Sequence, residues 1–183
     1  FDGLEIDFAR IPIVLPIGKQ WENRNHVTHF MRMVRLMLQE VAAKRGRPLL
    51  LAARVPENLE GCHFDGLDVE AWAEEQLVDI FTLGVRSLEA DIPAFRRITA
   101  GTPIKLYPCI DEHHSSDGYQ HPPVEVYRGT AANWWWQGAD GIEVFNFPSQ
   151  TIEMQVKTGL KTTWGKFAVE MAKQAQREIG SPE

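Results

Sequence analysis

Asp140-Gly141-Ile142-Glu143-Val144-Phe145-Asn146 and Asp2-Gly3-Leu4-Glu5-Ile6-Asp7-Phe8 are near-repeats placed towards opposite ends of the chain. Each sets a glutamate inside an apolar run. Side chains alternate between the two faces of a strand, so Glu5 and Glu143 point one way while Leu4, Ile6, Ile142 and Val144 point the other. Such a strand suits a barrel. Its aliphatic face meets surrounding helices, and its acids face the interior or the mouth, where barrel enzymes keep their chemistry.

Between the repeats the chain alternates strand and helix. After the first strand, Ile11 to Ile17 reads as a proline-punctuated apolar loop. Asn23 or Asn25 then caps a helix running to about Arg45, with Val27, Phe30, Met31, Val34, Leu38 and Val41 at helical spacing and Gly46 as its stop. Leu49 to Val55 is a continuous apolar run closing on Arg54 and Pro56, the pattern of a parallel strand buried on both faces. Asp68 caps a short helix through Gln76, and Val78 to Leu83 is the next strand. A helix from about Pro93 to Ala100 leads to strand Ile104 to Ile110, and after a polar loop Pro123 opens a helix ending near Gly138. Gly141 to Phe147 is the fifth strand, and Trp164 to Glu178 is a final amphipathic helix.

Strict alternation predicts a parallel α/β sheet, either open and doubly wound or closed as a (β/α)8 TIM barrel. No glycine-rich phosphate turn follows any strand, and the acids, histidines and aromatics gather in the loops after strands, both of which favour the barrel. Five units do not close an eight-stranded ring. The whole chain, residues 1–183, is therefore expected to be one partial-barrel domain, strands four to eight, with the N-terminal strands absent. Phe1 already reads as mid-strand, so an upstream continuation is expected and no localisation follows.

Composition narrows the partners. The 44% hydrophobic content supplies an ordinary core, and the net charge of -6, with Lys and Arg scattered among acids, argues against a nucleic-acid surface. An uncharged or cationic small ligand fits better. No apolar run reaches the about 20 residues that a membrane span needs. Cys62 and Cys109 show no metal-type spacing, and a single bridge between them is compatible with the sequence.

The runs Asp2 to Arg10, Arg54-Val55-Pro56, Gly66 to Trp72, Leu77 to Ile80 and Gly138 to Asn146 resemble the C-terminal half of glycoside-hydrolase-like barrel proteins. That resemblance spans nearly the whole chain and implies a barrel fold and a glycan or small-sugar substrate. It implies no cofactor. Asp111-Glu112-His113-His114, after the fourth strand of this chain, is placed like the nucleophile of the largest glycosidase clan, whose acid follows strand four and whose nucleophile ends strand seven. That clan carries an Asn-Glu pair on strand four; here Glu5 follows Leu4.

Glycosidases use two carboxyl groups flanking the scissile bond. Asp7, nearer the mouth than Glu5, is the expected catalytic acid, with Glu112 or Asp111 as its partner and Glu5 a layer deeper, raising a neighbour's pKa by like-charge repulsion. The alternative for Glu5 and Glu143 is a structural ion pair inside the barrel, Glu5 with Arg10 or Arg54. Arg54 is placed to hold a catalytic carboxylate ionised or to grip a hydroxyl, and Arg10, Glu143, Asn146, His113 and His114 complete the expected polar contacts. Trp21, Tyr107 and Tyr119 offer aromatic faces to sugar rings. Trp134, Trp135 and Trp136 fall late in a helix, where packing is the expected role. Two further readings stay open: a metal-dependent sugar isomerase or epimerase using the Asp, Glu and His residues as ligands, and a non-catalytic carbohydrate-binding barrel.

Overall fold

The computed structural model describes residues 1–10, 14–84, 87–111, 113–114, 119–120, 123–145 and 166–180. Five strands, β1 (Gly3–Asp7), β2 (Leu50–Val55), β3 (Ile80–Leu83), β4 (Lys105–Asp111) and β7 (Glu143–Phe145), form one sheet in that order. Every adjacent pair is parallel. Helices separate the strands: α1 (Arg24–Arg45), α2 (Leu59–Asp65), α3 (Val69–Glu74), α4 (Ile92–Ile98) and α5 (Val124–Trp136), with α6 (Lys166–Glu178) after β7. The expected alternation and sequential order are present.

The two faces of the sheet differ sharply. Leu51, Ala53, Val55, Phe81, Leu83, Leu106 and Ile110 share one face and are fully buried, packed in one cluster with Met31 of α1, Trp72 of α3, Phe95 of α4 and Tyr127 and Trp134 of α5. Trp72 also donates its indole N–H to Thr28 Oγ1 at 3.0 Å, so the ring buries its area without stranding a donor. The opposite face carries Glu5, Asp7, Arg54, Thr82, Tyr107, Cys109 and Glu143, in register across the strands. That face is concave. In a flat sheet β2 and β7 would lie about 14 Å apart, yet Arg54 and Glu143 meet at 2.5 Å, and the sheet curls as a half-barrel.

The structure departs from the sequence reading in several places. A 3-10 turn, Trp21–Asn23, precedes α1, so Asn23 makes no side-chain cap and donates instead to the Lys19 carbonyl at 2.8 Å. The helix α2 was not foreseen: only its cap, Asn58 accepting from the Gly61 N–H at 2.7 Å, marks it, inside a polar stretch with its own glycine. The polar loop after β4 contains an antiparallel ribbon of β5 (His113–His114) and β6 (Tyr119–Gln120). Cys62 and Cys109 are both buried and are not bridged to each other, because Cys62 packs in the helix-side core while Cys109 stands on the concave face. Of the tryptophan run, Trp134 is core, Trp135 donates to the Ile179 carbonyl and Trp136 is exposed. Residues 146 and 147 of the expected fifth strand and Trp164 lie outside the described residues.

The N-terminal ends of the strands are tied by aspartates. Asp79 accepts the Leu51 N–H at 2.7 Å and pairs with Arg35, and Asp140 accepts the Leu106 N–H at 2.9 Å and pairs with Arg96 and Lys105. Burial opposes the charge on Asp140, but these partners outweigh it and hold its carboxyl below the usual range. The aspartate that opens the second repeat is therefore a structural lock at the bottom of the sheet.

Two helix-ending glycines test the packing. Both Gly46 and Gly66 lie in the left-handed region, at φ +69° and +75°, but a Cβ on Gly46 meets open space while one on Gly66 falls 2.5 Å from the Gln20 carbonyl oxygen. Gly46→Ala should cost about 1 kcal/mol through backbone strain alone. Gly66→Ala should cost about 1 to 3 kcal/mol more, from overpacking against backbone. Urea unfolding of the two variants measures the difference, and equal losses would contradict the tight approach of the loop before α1 to the end of α2.

Candidate functional site

Parallel pairing and the two-residue period bring the concave-face side chains together. Glu5 stands opposite Ala52 and Asp7 opposite Arg54, Arg54 opposite Thr82, Thr82 opposite Tyr107, and Cys109 opposite Glu143. Residues up to 89 apart in sequence thereby meet around one guanidinium.

Arg54 is the centre, and its side chain is 0% exposed. Nη1 faces Asp7 Oδ2 at 3.4 Å, while Nη2 donates to Glu143 Oε1 at 2.5 Å and to Cys109 Sγ at 2.8 Å. The Phe145 ring covers the guanidinium carbon at 3.9 Å, a cation-π contact that seals one side. Nε is buried with no partner among the described residues. Burial works against this charge, but Cys109, Glu143, Asp7 and Glu5 outweigh it and raise the pKa of Arg54.

Asp7 is fixed by its own turn. Its Oδ1 accepts the backbone N–H groups of Ala9 at 3.0 Å and Arg10 at 2.9 Å, which holds the carboxylate at the C-terminal end of β1 with Oδ2 turned to Arg54. Glu5, one layer deeper, accepts from Thr82 Oγ1 at 2.7 Å. Of its two expected ion-pair partners, Arg10 is exposed and takes part through its backbone, while Arg54 feels the Glu5 charge within the cluster.

Glu143 is the perturbed group. Burial lifts its pKa to about 7; Arg54 pulls the other way, and the like charge of Glu5 adds to the rise. One cation faces Asp7, Glu143 and Glu5, so full ionisation would leave negative charge uncompensated on a partly desolvated face. A proton held by Glu143 relieves it.

The remaining expected residues divide. Tyr107 lies on the same face, half-buried, with its ring 2.9 Å from where a Cβ on Gly141 would stand. Trp21 lies in the turn before α1, its ring stacked on His63 at 3.6 Å and approached by the Arg24 guanidinium at 4.4 Å, so its stacking capacity is already engaged. Glu112 and Asn146, with the side chains of Asp111, His113, His114 and Tyr119, lie outside the described residues. Among the described residues no three His, Cys, Asp or Glu side chains are arranged to hold a metal ion. Thr82, Cys109 and Phe145 were not singled out from the sequence as site residues. The signal for them was strand parity: each sits an even number of places from, or in register with, a charged residue on the same face.

The raised pKa of Glu143 has a thermodynamic consequence. A carboxyl whose folded pKa exceeds its unfolded value stabilises the fold fully below the unfolded pKa, and that contribution is lost as pH rises through the folded pKa. For Glu143 the window runs from 4.5 to about 7, and at most about 3 kcal/mol is at stake. Unfolding measured across that range should show stability falling with rising pH, and Glu143→Gln should flatten that slope. A slope unchanged by the substitution would show that Glu143 is not the titrating group.

No protein-family model matches the chain and no curated protein matches it, so the site stands on the geometry of its own residues.

Proposed function

We propose that the protein is a carbohydrate-active hydrolase acting at the C-terminal mouth of a (β/α)8 barrel, with β1, β2, β3, β4 and β7 as barrel strands four to eight. The observation that carries this reading is Glu143, with a pKa of about 7, held by the same guanidinium as Asp7. Glycoside cleavage needs one carboxyl that is protonated near neutral pH to donate to the leaving oxygen, and a second to attack or to activate water. Glu143 is the proton donor in this scheme. Asp7 is the acceptor or nucleophile, and Arg54 sets their spacing on the scale of the about 5 to 9.5 Å separations that such pairs use. Glu5 is a positioning residue whose like charge keeps the proton on Glu143, and Thr82 holds Glu5 in place by donating to it.

The barrel assignment draws on the free side of β1. That strand pairs only with β2 among the described residues, and Leu4 of the strand and Phe30 of α1 leave apolar surface beside it. Further β/α units pairing there would cover this surface and complete the ring.

The test is turnover on a panel of glycans by wild type, Glu143→Gln and Asp7→Asn. Both substitutions preserve size, and each should lower kcat by about 100-fold or more with folding intact. Wild-type rate should fall as pH rises past about 7, where Glu143 loses its proton. Undiminished turnover in either variant removes that residue from the mechanism, and binding without turnover on any glycan would identify a carbohydrate-binding barrel instead.

A further inference from the structure

A cleft of about 450 Å³ lies beside the mouth, walled by Ala9, Pro56, Glu57, Glu60, Phe64 and Asp65 among others. Its size falls within the about 300 to 1,000 Å³ of small-ligand sites. Ala9 follows Asp7 by two residues and Pro56 follows Arg54 by two, so the cleft and the carboxyl cluster share the loops at the ends of β1 and β2.

Three features give the cleft a chemistry. Asp65, the last residue of α2, is only 6% exposed, and among the described residues its carboxyl makes no hydrogen bond or ion pair. An unpartnered carboxylate that is largely buried is costly, and a cation brought to it recovers that cost. Glu60 adds negative charge, and no Lys, Arg or His is among the described residues that line the cleft. Phe64, 69% exposed, offers a ring that suits the apolar face of a sugar or an ammonium group. Burial pushes the Asp65 carboxyl up, the direction a nearby cation would reverse.

We infer that this cleft is a subsite for an amino sugar, with Asp65 as the counter-ion of its ammonium group and Phe64 against its ring. The inference rests on the carbohydrate reading of the adjacent mouth, and it narrows the substrate class to glycans bearing free amino groups.

Calorimetric titration at pH 7 and low salt with D-glucosamine, D-glucose and n-butylamine tests it on the full chain. Glucosamine should bind at least tenfold more tightly than either of the others. Asp65→Asn should abolish that preference while leaving the protein as stable as wild type or more so, since it removes an unpaired buried charge. In wild type, NMR titration of the Asp65 carboxyl carbon should show its pKa falling when glucosamine is added, a readout that needs no variant. Absent glucosamine binding, equal binding of glucose, a preference surviving in Asp65→Asn, or an unmoved Asp65 titration would each overturn the subsite; equal binding of n-butylamine would overturn its assignment to a sugar. The hydrolase reading fails separately. Glu143→Gln should keep the glucosamine preference while losing turnover, so a preference without any wild-type hydrolysis sinks only the enzyme, and hydrolysis without a preference sinks only the subsite.

Discussion

One buried guanidinium organises the concave face. Arg54 stands next to last in an otherwise apolar strand, fully withdrawn from solvent, and contacts β1 through Asp7, β4 through Cys109 and β7 through Glu143. A cation in that position is costly unless anions surround it, and anions gathered there repel one another unless the cation remains. Neither half of the arrangement is stable without the other. The imbalance between one cation and the facing acids then falls on the most buried of those acids, Glu143, as an affinity for a proton near neutral pH.

The ends of the sheet divide their labour. At the N-terminal ends, Asp79 and Asp140 each take a backbone N–H from the preceding strand of the sheet together with cationic partners, so their carboxylates are spent on register. At the C-terminal ends, Asp7 uses one oxygen for its own turn and keeps the other in the cluster. The same residue type thus locks strands at one end and faces open space at the other, which is the polarity expected of barrel strands.

Much of this was legible in the sequence because periodicity reports burial. The continuous run of β2 announced a parallel strand, the spacing of Val27, Met31 and Leu38 announced α1, and the near-repeats placed Glu5 and Glu143 on one face. Two kinds of feature were not legible. Short elements such as α2 and the β5–β6 ribbon are decided by tertiary contact and a cap rather than by a repeating pattern. Side-chain partners across strands depend on register, which no local pattern states: Thr82 reads as an ordinary strand threonine until β1 brings Glu5 to it. The aromatic ring that a sequence reading assigns to a ligand, Trp21, was claimed by His63 from the unforeseen helix.

Among the described residues three register positions join β4 to β7, the strand that carries both Glu143 and Phe145. Arg54 clamps β7 through both of these side chains, so local opening of this strand and titration of Glu143 become one linked equilibrium. Because the docked state holds the proton more tightly than the detached one, proton loss favours detachment. Rising pH therefore acts on this protein as a mechanical release at the end of the sheet, loosening the strand that roofs the guanidinium.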